Sequence, residues 1–173
     1  NIWPCGNNPG NGGNSASASI AFNNTTPTTM AITFGGVSRS VAPGQSGTFT
    51  GEPGSQGNGT ATTSGKTSSG TQVGNQLTWT LNYTFPQSGP TSVDLVVPSN
   101  YFFLRVLNRS SYTITKLYVN YGLQGQSLDN ISMAPSDIAY NLGYYPAYSN
   151  SNVRAESGNL YWYWNPLNLS FIN

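Results

Sequence analysis

The stretch Leu77-Thr78-Trp79-Thr80-Leu81-Asn82-Tyr83-Thr84-Phe85 alternates apolar and polar side chains without a break. In an extended chain successive side chains point to opposite faces, so Leu77, Trp79, Leu81, Tyr83 and Phe85 share one face. The threonines and Asn82 share the other. That is a strand with one buried side and one wet side. The same period recurs at Met30, Ile32 and Phe34 and at Val93, Leu95 and Val97. β-Branched and aromatic residues dominate these runs, while Gly, Pro, Asn and Ser fill the gaps. No stretch carries apolar residues at helical spacing. Ala42-Pro43-Gly44-Gln45 suits a type II turn, with proline presetting φ and glycine taking the positive φ that follows. The sequence predicts an all-β fold, an antiparallel β-sandwich of Ig-like or jelly-roll-like kind.

Outward from this strand, landmarks recur in one order in both halves of the chain. Ile20-Ala21-Phe22-Asn23-Asn24-Thr25 matches Arg105-Val106-Leu107-Asn108-Arg109-Ser110, with Asn23 set against Asn108. Ile32-Thr33-Phe34 matches Leu117-Tyr118-Val119, and Val41-Ala42-Pro43-Gly44 matches Met133-Ala134-Pro135-Ser136. Gly74-Asn75 and Trp79 match Gly158-Asn159 and Trp162, and Tyr83-Thr84-Phe85 matches Leu169-Ser170-Phe171. Preserved order predicts two homologous tandem β units. The expected organisation is a Gly/Asn-rich N-terminal arm over 1–17, a first unit over 18–100 and a second over 101–173. Within the first unit, the low-complexity residues 51–73 read as an exposed loop or a polar hairpin, and 91–97 as a linking strand.

The halves do not balance. The linking strand has its counterpart either in the arm, counting back from the second unit, or beyond Asn173, counting forward from the first. A unit short of one strand has an open sheet edge, and open edges recruit strands. Ser15-Ala16-Ser17-Ala18-Ser19-Ile20 alternates small side chains that could lie flat along such an edge. The expected assembly arm therefore comprises Ile2, Trp3, Cys5, Ala16, Ala18 and Ile20.

Composition narrows the function. Of 173 residues only 6% are charged, six basic and five acidic, and there is no histidine. Six scattered cations cannot form the basic surface that nucleic acid requires. No apolar run approaches the roughly 18 residues of a membrane-spanning helix. Histidine-dependent triads and histidine metal sites are ruled out. Aromatic residues at 13% argue for a packed core rather than the disorder that so much Gly, Ser and Asn would otherwise suggest. Such weak charge suits secreted or surface-assembled material better than the cytoplasm. A start at Asn1 rather than Met fits a mature form whose signal peptide has been removed. Sequons at Asn23, Asn24, Asn58, Asn82, Asn108, Asn130 and Asn168 fit a secreted glycoprotein. With Cys5 as its single cysteine, the chain can form no internal disulfide.

Nothing in the sequence points to catalysis. Glu52, Asp94, Asp129, Asp137 and Glu156 show neither the pairing of a glycosidase nor the clustering of a Ca²⁺ site. No cofactor and no metal are expected. The aromatic residues offer a binding surface instead. Tyr161-Trp162-Tyr163-Trp164 places two rings on each face of one strand; Trp162 and Trp164 should face inward and Tyr161 and Tyr163 outward, beside Tyr144, Tyr145 and Tyr148. Exposed rings stack on sugars, and tyrosine is equally common at protein interfaces.

In general pattern the chain resembles secreted β-sandwich modules and donor-strand pilus subunits. Its first functional reading is a non-enzymatic structural subunit of an extracellular, pilus-like filament or surface layer, self-assembled by strand addition through the arm. The second is a secreted carbohydrate-binding module that uses the tyrosine patch and takes glycans as partners.

Overall fold

A computed structural model describes residues 17–66 and 71–164. Thirteen strands and no helix lie among them. The first half holds β1 (Ala18–Asn24), β2 (Met30–Phe34), β3 (Val37–Val41), β4 (Ser46–Gly51), β5 (Gln56–Lys66), β6 (Gln72–Thr84) and β7 (Pro90–Leu95). The second holds β8 (Tyr101–Val106), β9 (Ile114–Val119), β10 (Gln126–Met133), β11 (Tyr140–Pro146), β12 (Val153–Ser157) and β13 (Leu160–Trp164).

The protein is all-β, but it is not built from two facing antiparallel sheets as expected. Its strands form three sheets, ordered β4–β1–β7, β3–β2–β5–β6–β11–β8 and β10–β9–β12–β13. β11 bonds to β6 as well as to β8, so one of the three sheets runs continuously from the first half into the second. A second departure is that β7 runs parallel to β1. The chain reaches β7 from β6, in a different sheet, and such a crossover escapes the antiparallel geometry that a hairpin imposes.

Residues 51–73 show the polar-hairpin alternative. Most of them belong to β5 and the start of β6, paired antiparallel from Gln56↔Thr84 to Lys66↔Gln72. Gly57, Ala61, Thr63 and Gly65 face inward along β5. Glycine, alanine and threonine hide the alternation because their small side chains carry almost no hydropathy contrast.

Two cores fill the layers. In the first, Ile20 and Phe22 of β1, Ile32 and Phe34 of β2, Phe49 of β4, Leu81 of β6 and Leu95 of β7 are all buried together. The Phe22 ring meets Phe34 at 5.0 Å and Phe49 at 5.7 Å, both edge-on. Burying each such ring contributes about 1.5–3 kcal/mol, with roughly 1 kcal/mol more from the edge contacts. The second core gathers Phe102 and Leu104 of β8, Leu117 and Val119 of β9, Tyr145 of β11 and Val153 and Ala155 of β12.

The pairing order is the same in both halves. The first strand pairs with the fourth (β1–β4, β8–β11) and the second with the third (β2–β3, β9–β10). The second also pairs with the fifth (β2–β5, β9–β12), and the fifth with the sixth (β5–β6, β12–β13). A buried asparagine ends or follows the first strand of each half. Asn24 donates from Nδ2 to the carbonyls of Thr28 and Val41, both at 2.9 Å, and its Oδ1 accepts from Thr26 N and Oγ1. Asn108 donates to Tyr112 at 2.8 Å and Met133 at 2.7 Å, and accepts from Ser110 N and Oγ. Their own carbonyls accept from Gly44 N and Ser136 N, each at 2.8 Å. The environments thus match Asn24, not Asn23, with Asn108. Asn23 faces the other way and donates to the Asp94 carboxylate at 2.6 Å.

Candidate functional site

β1 is a central strand, with β4 on one side and β7 on the other. Val93 and Leu95 of β7 extend the first core beside the inward-facing Trp79, Leu81 and Tyr83 of β6. β8 pairs with β11 as β1 pairs with β4, yet among the described residues nothing pairs with its other edge. The backbone donors and acceptors along that edge are a template for a further strand.

The side chains bordering the same core are uncovered to match. In the ladder between β12 and β13, Val153 stands opposite Trp164, Ala155 opposite Trp162 and Ser157 opposite Leu160. Paired residues share a face, and Val153 and Ala155 point into the core, so Leu160, Trp162 and Trp164 do too. Leu160 is nevertheless 46% exposed and Trp164 47%. On β6, a strand of the same rank, Leu77 and Leu81 are fully buried. Among the described residues, an unpaired edge on β8 and an exposed apolar face on β13 therefore border one core.

The arm residues divide. Ile2, Trp3, Cys5 and Ala16 lie outside the described residues. Ala18 and Ile20 do not belong to an assembly arm: both are buried in β1, in register with Gly51 and Phe49 of β4. Within the alternation that suggested an edge-binding segment, residues 18–20 belong to this chain's own central strand, and Ala18 and Ile20 enter its first core.

The tyrosine patch is also redrawn. Tyr144 and Tyr145 are buried and cannot contribute to a surface. Tyr144 packs on Phe103 at 5.0 Å and shares a 2.5 Å hydrogen bond with the Thr28 hydroxyl, joining the halves. Tyr145 lies in the second core and donates to the Leu142 carbonyl at 2.8 Å; burial pushes its hydroxyl pKa well above the ordinary tyrosine value. These neighbours face opposite sides of a strand covered on both, and sequence alone could not show the second cover. Tyr148 is half-buried beyond the end of β11.

Tyr161 and Tyr163 do face outward, and their partners come from elsewhere. Arg154 of β12 lies in register between Tyr163 of β13 and Tyr118 of β9. Its guanidinium stacks 4.9 Å from the rings of both Tyr121 and Tyr161 and 5.8 Å from Tyr118. Tyr121 meets Tyr118 at 5.4 Å and Tyr163 at 6.3 Å, edge-on in each case. Sequence reading missed Tyr118, Tyr121 and Arg154 because Tyr118 of β9 and Tyr121 just after it lie far in sequence from the β12–β13 hairpin they meet.

No protein-family model, curated protein or solved structure matches this chain.

The sequons fall into distinct environments. Asn24 and Asn108 are buried with both amide hydrogens engaged, so neither can carry a glycan in this fold. Their sequon spacing is a consequence of the turn, whose hydroxyl at the third position bonds back to the asparagine. Asn23 is half-buried, whereas Asn58 and Asn82 are exposed and stand directly opposite one another across β5 and β6. Asn130 lies in β10, and Asn168 falls outside the described residues. Among the described residues no three His, Cys, Asp or Glu side chains gather at one point.

Proposed function

We propose that this chain is a structural subunit of an extracellular filament or surface layer, and that copies join when the arm ahead of β1 adds as a strand to the free edge of β8 on the next copy. The observation that carries this reading is the coincidence of that unpaired edge with the exposed, core-facing Leu160 and Trp164. The reading takes the two halves as tandem copies of one small β-sandwich unit; their common pairing order and their two asparagine ties support it. In the first unit β7 supplies the extra strand from within the chain, and in the second another copy supplies it. The arm offers Ile2, Trp3 and Cys5 as apolar residues for the groove, and the stretch 6–16 can reach about 35–40 Å when extended. By analogy with β7 on β1, the added strand runs parallel to β8.

Deletion of residues 1–16 tests the reading. The truncated chain should fold and remain dispersed where the full chain forms regular filaments by negative-stain microscopy. The sole cysteine allows a sharper test: with Arg105→Cys or Val106→Cys on the β8 edge, oxidation should produce a ladder of multimers on non-reducing gels. A cross-linked monomer would mean that the arm folds back on its own chain, and filaments formed by the truncated chain would exclude the arm as connector.

A further inference from the structure

The outer face of β9, β12 and β13 is a second surface, on the opposite side of its sheet from the groove. It holds four tyrosines around one arginine. Tyr161 is 66% exposed, Tyr163 47% and Tyr121 44%, so the rings are available to a ligand. They are also held in place: edge-on contacts fix Tyr121 against Tyr118 and Tyr163, and Arg154 stacks with Tyr118, Tyr121 and Tyr161. The charges here are matched within the face. Arg154 pairs with Glu156 at 2.7 Å, and Lys116 with Asp129 at 3.7 Å. What remains is a platform of electron-rich rings with phenolic hydroxyls and no unbalanced charge.

That chemistry points to a neutral saccharide, and we propose that this platform binds one. The C–H face of a sugar ring is weakly positive and flat enough to stack on tyrosine, while its rim of hydroxyls can bond to phenol oxygens and to the Glu156 carboxylate. An anionic ligand would have to displace Glu156 from Arg154, and a cation would meet Arg154 and Lys116. Because the rings are already held, little side-chain entropy is lost on binding. Strand addition in the groove would not cover this face, so binding and assembly are separable.

The test is titration of the full chain with cellohexaose and mannohexaose, and with a heparin hexasaccharide as the charged counterpart, read by intrinsic fluorescence and calorimetry. Saturable binding of a neutral hexaose is expected, weakened about tenfold or more by Tyr161→Ala and by Tyr121→Ala. Tyr161→Phe should keep most of it, and all three variants should assemble like the parent. Failure of both neutral hexaoses to bind, binding unchanged in the alanine variants, or tighter binding of heparin would each overturn the proposal. If Tyr161→Ala abolished assembly instead, the face would be an interface between copies.

Discussion

Replacing Asn108 by alanine would leave the buried bond to the Met133 carbonyl unmade, take the second donor from the part-buried Tyr112 carbonyl, and release the Ser110 amide and hydroxyl from their acceptor. Each unsatisfied buried group costs about 1–3 kcal/mol, so Asn108→Ala and Asn24→Ala should each lose about 2–4 kcal/mol in urea denaturation. Aspartate keeps the shape but cannot donate to two carbonyls, and should be no better. Tyr145 makes a different prediction. Its folded-state pKa is raised, so the folded chain keeps the phenolic proton at a pH where the unfolded chain has released it. Its contribution to stability is therefore intact below the ordinary tyrosine pKa of about 10 and is lost progressively as pH rises above it. Tyr145→Phe should lose about 1 kcal/mol at neutral pH, through the missing bond to Leu142, and should show a shallower fall of stability in alkali.

At the level of elements, the joint between the halves depends on backbones that approach too closely for side chains. A Cβ at Gly143, which sits at φ +91° in β11, would strike the Val73 carbonyl oxygen, and a Cβ at Gly65 of β5 would strike the Gly143 backbone. Register shifts interrupt β5 between Thr63 and Gly65 and β11 between Asn141 and Gly143, so both strands are irregular where they meet. Gly143→Ala should cost well over about 2 kcal/mol in thermal melts, combining a strained φ with a steric clash. Gly89→Ala, also at positive φ but facing open space, should cost only about 1–2 kcal/mol. The alternation at Leu77–Phe85 was legible in the sequence because large apolar residues face one way there. β5 was not, because its inward residues are Gly, Ala and Thr. The β11–β6 joint left no signal in hydropathy; only the glycines mark it.

For the molecule as a whole, assembly by strand addition would rest on main-chain hydrogen bonds and apolar burial. Only 6% of residues are charged. Filaments should therefore sediment alike in dilute buffer and in about 1 M NaCl, where the Debye length falls to about 3 Å and ionic contacts between subunits would be lost. Dissociation in high salt would place the contacts on charged surfaces instead. The groove itself was half legible. The sequence predicted an uneven count of strands, and among the described residues the halves hold seven and six; the inward face of the β13 tryptophans was legible too. The side on which β8 lies open was not, nor was the assignment of Ala18 and Ile20 to the chain's own core.

By itself the sequence determined the all-β class, the weak charge and the existence of apolar faces, because period and composition are local and survive without a fold. The tertiary structure decided which faces are covered. Tyr144 and Tyr161 are indistinguishable as letters, yet one is sealed between two halves and the other stands in solvent beside Arg154. Burial, edge pairing and the tyrosine–arginine platform are properties of elements far apart in the chain, and only their packing brings those residues into contact.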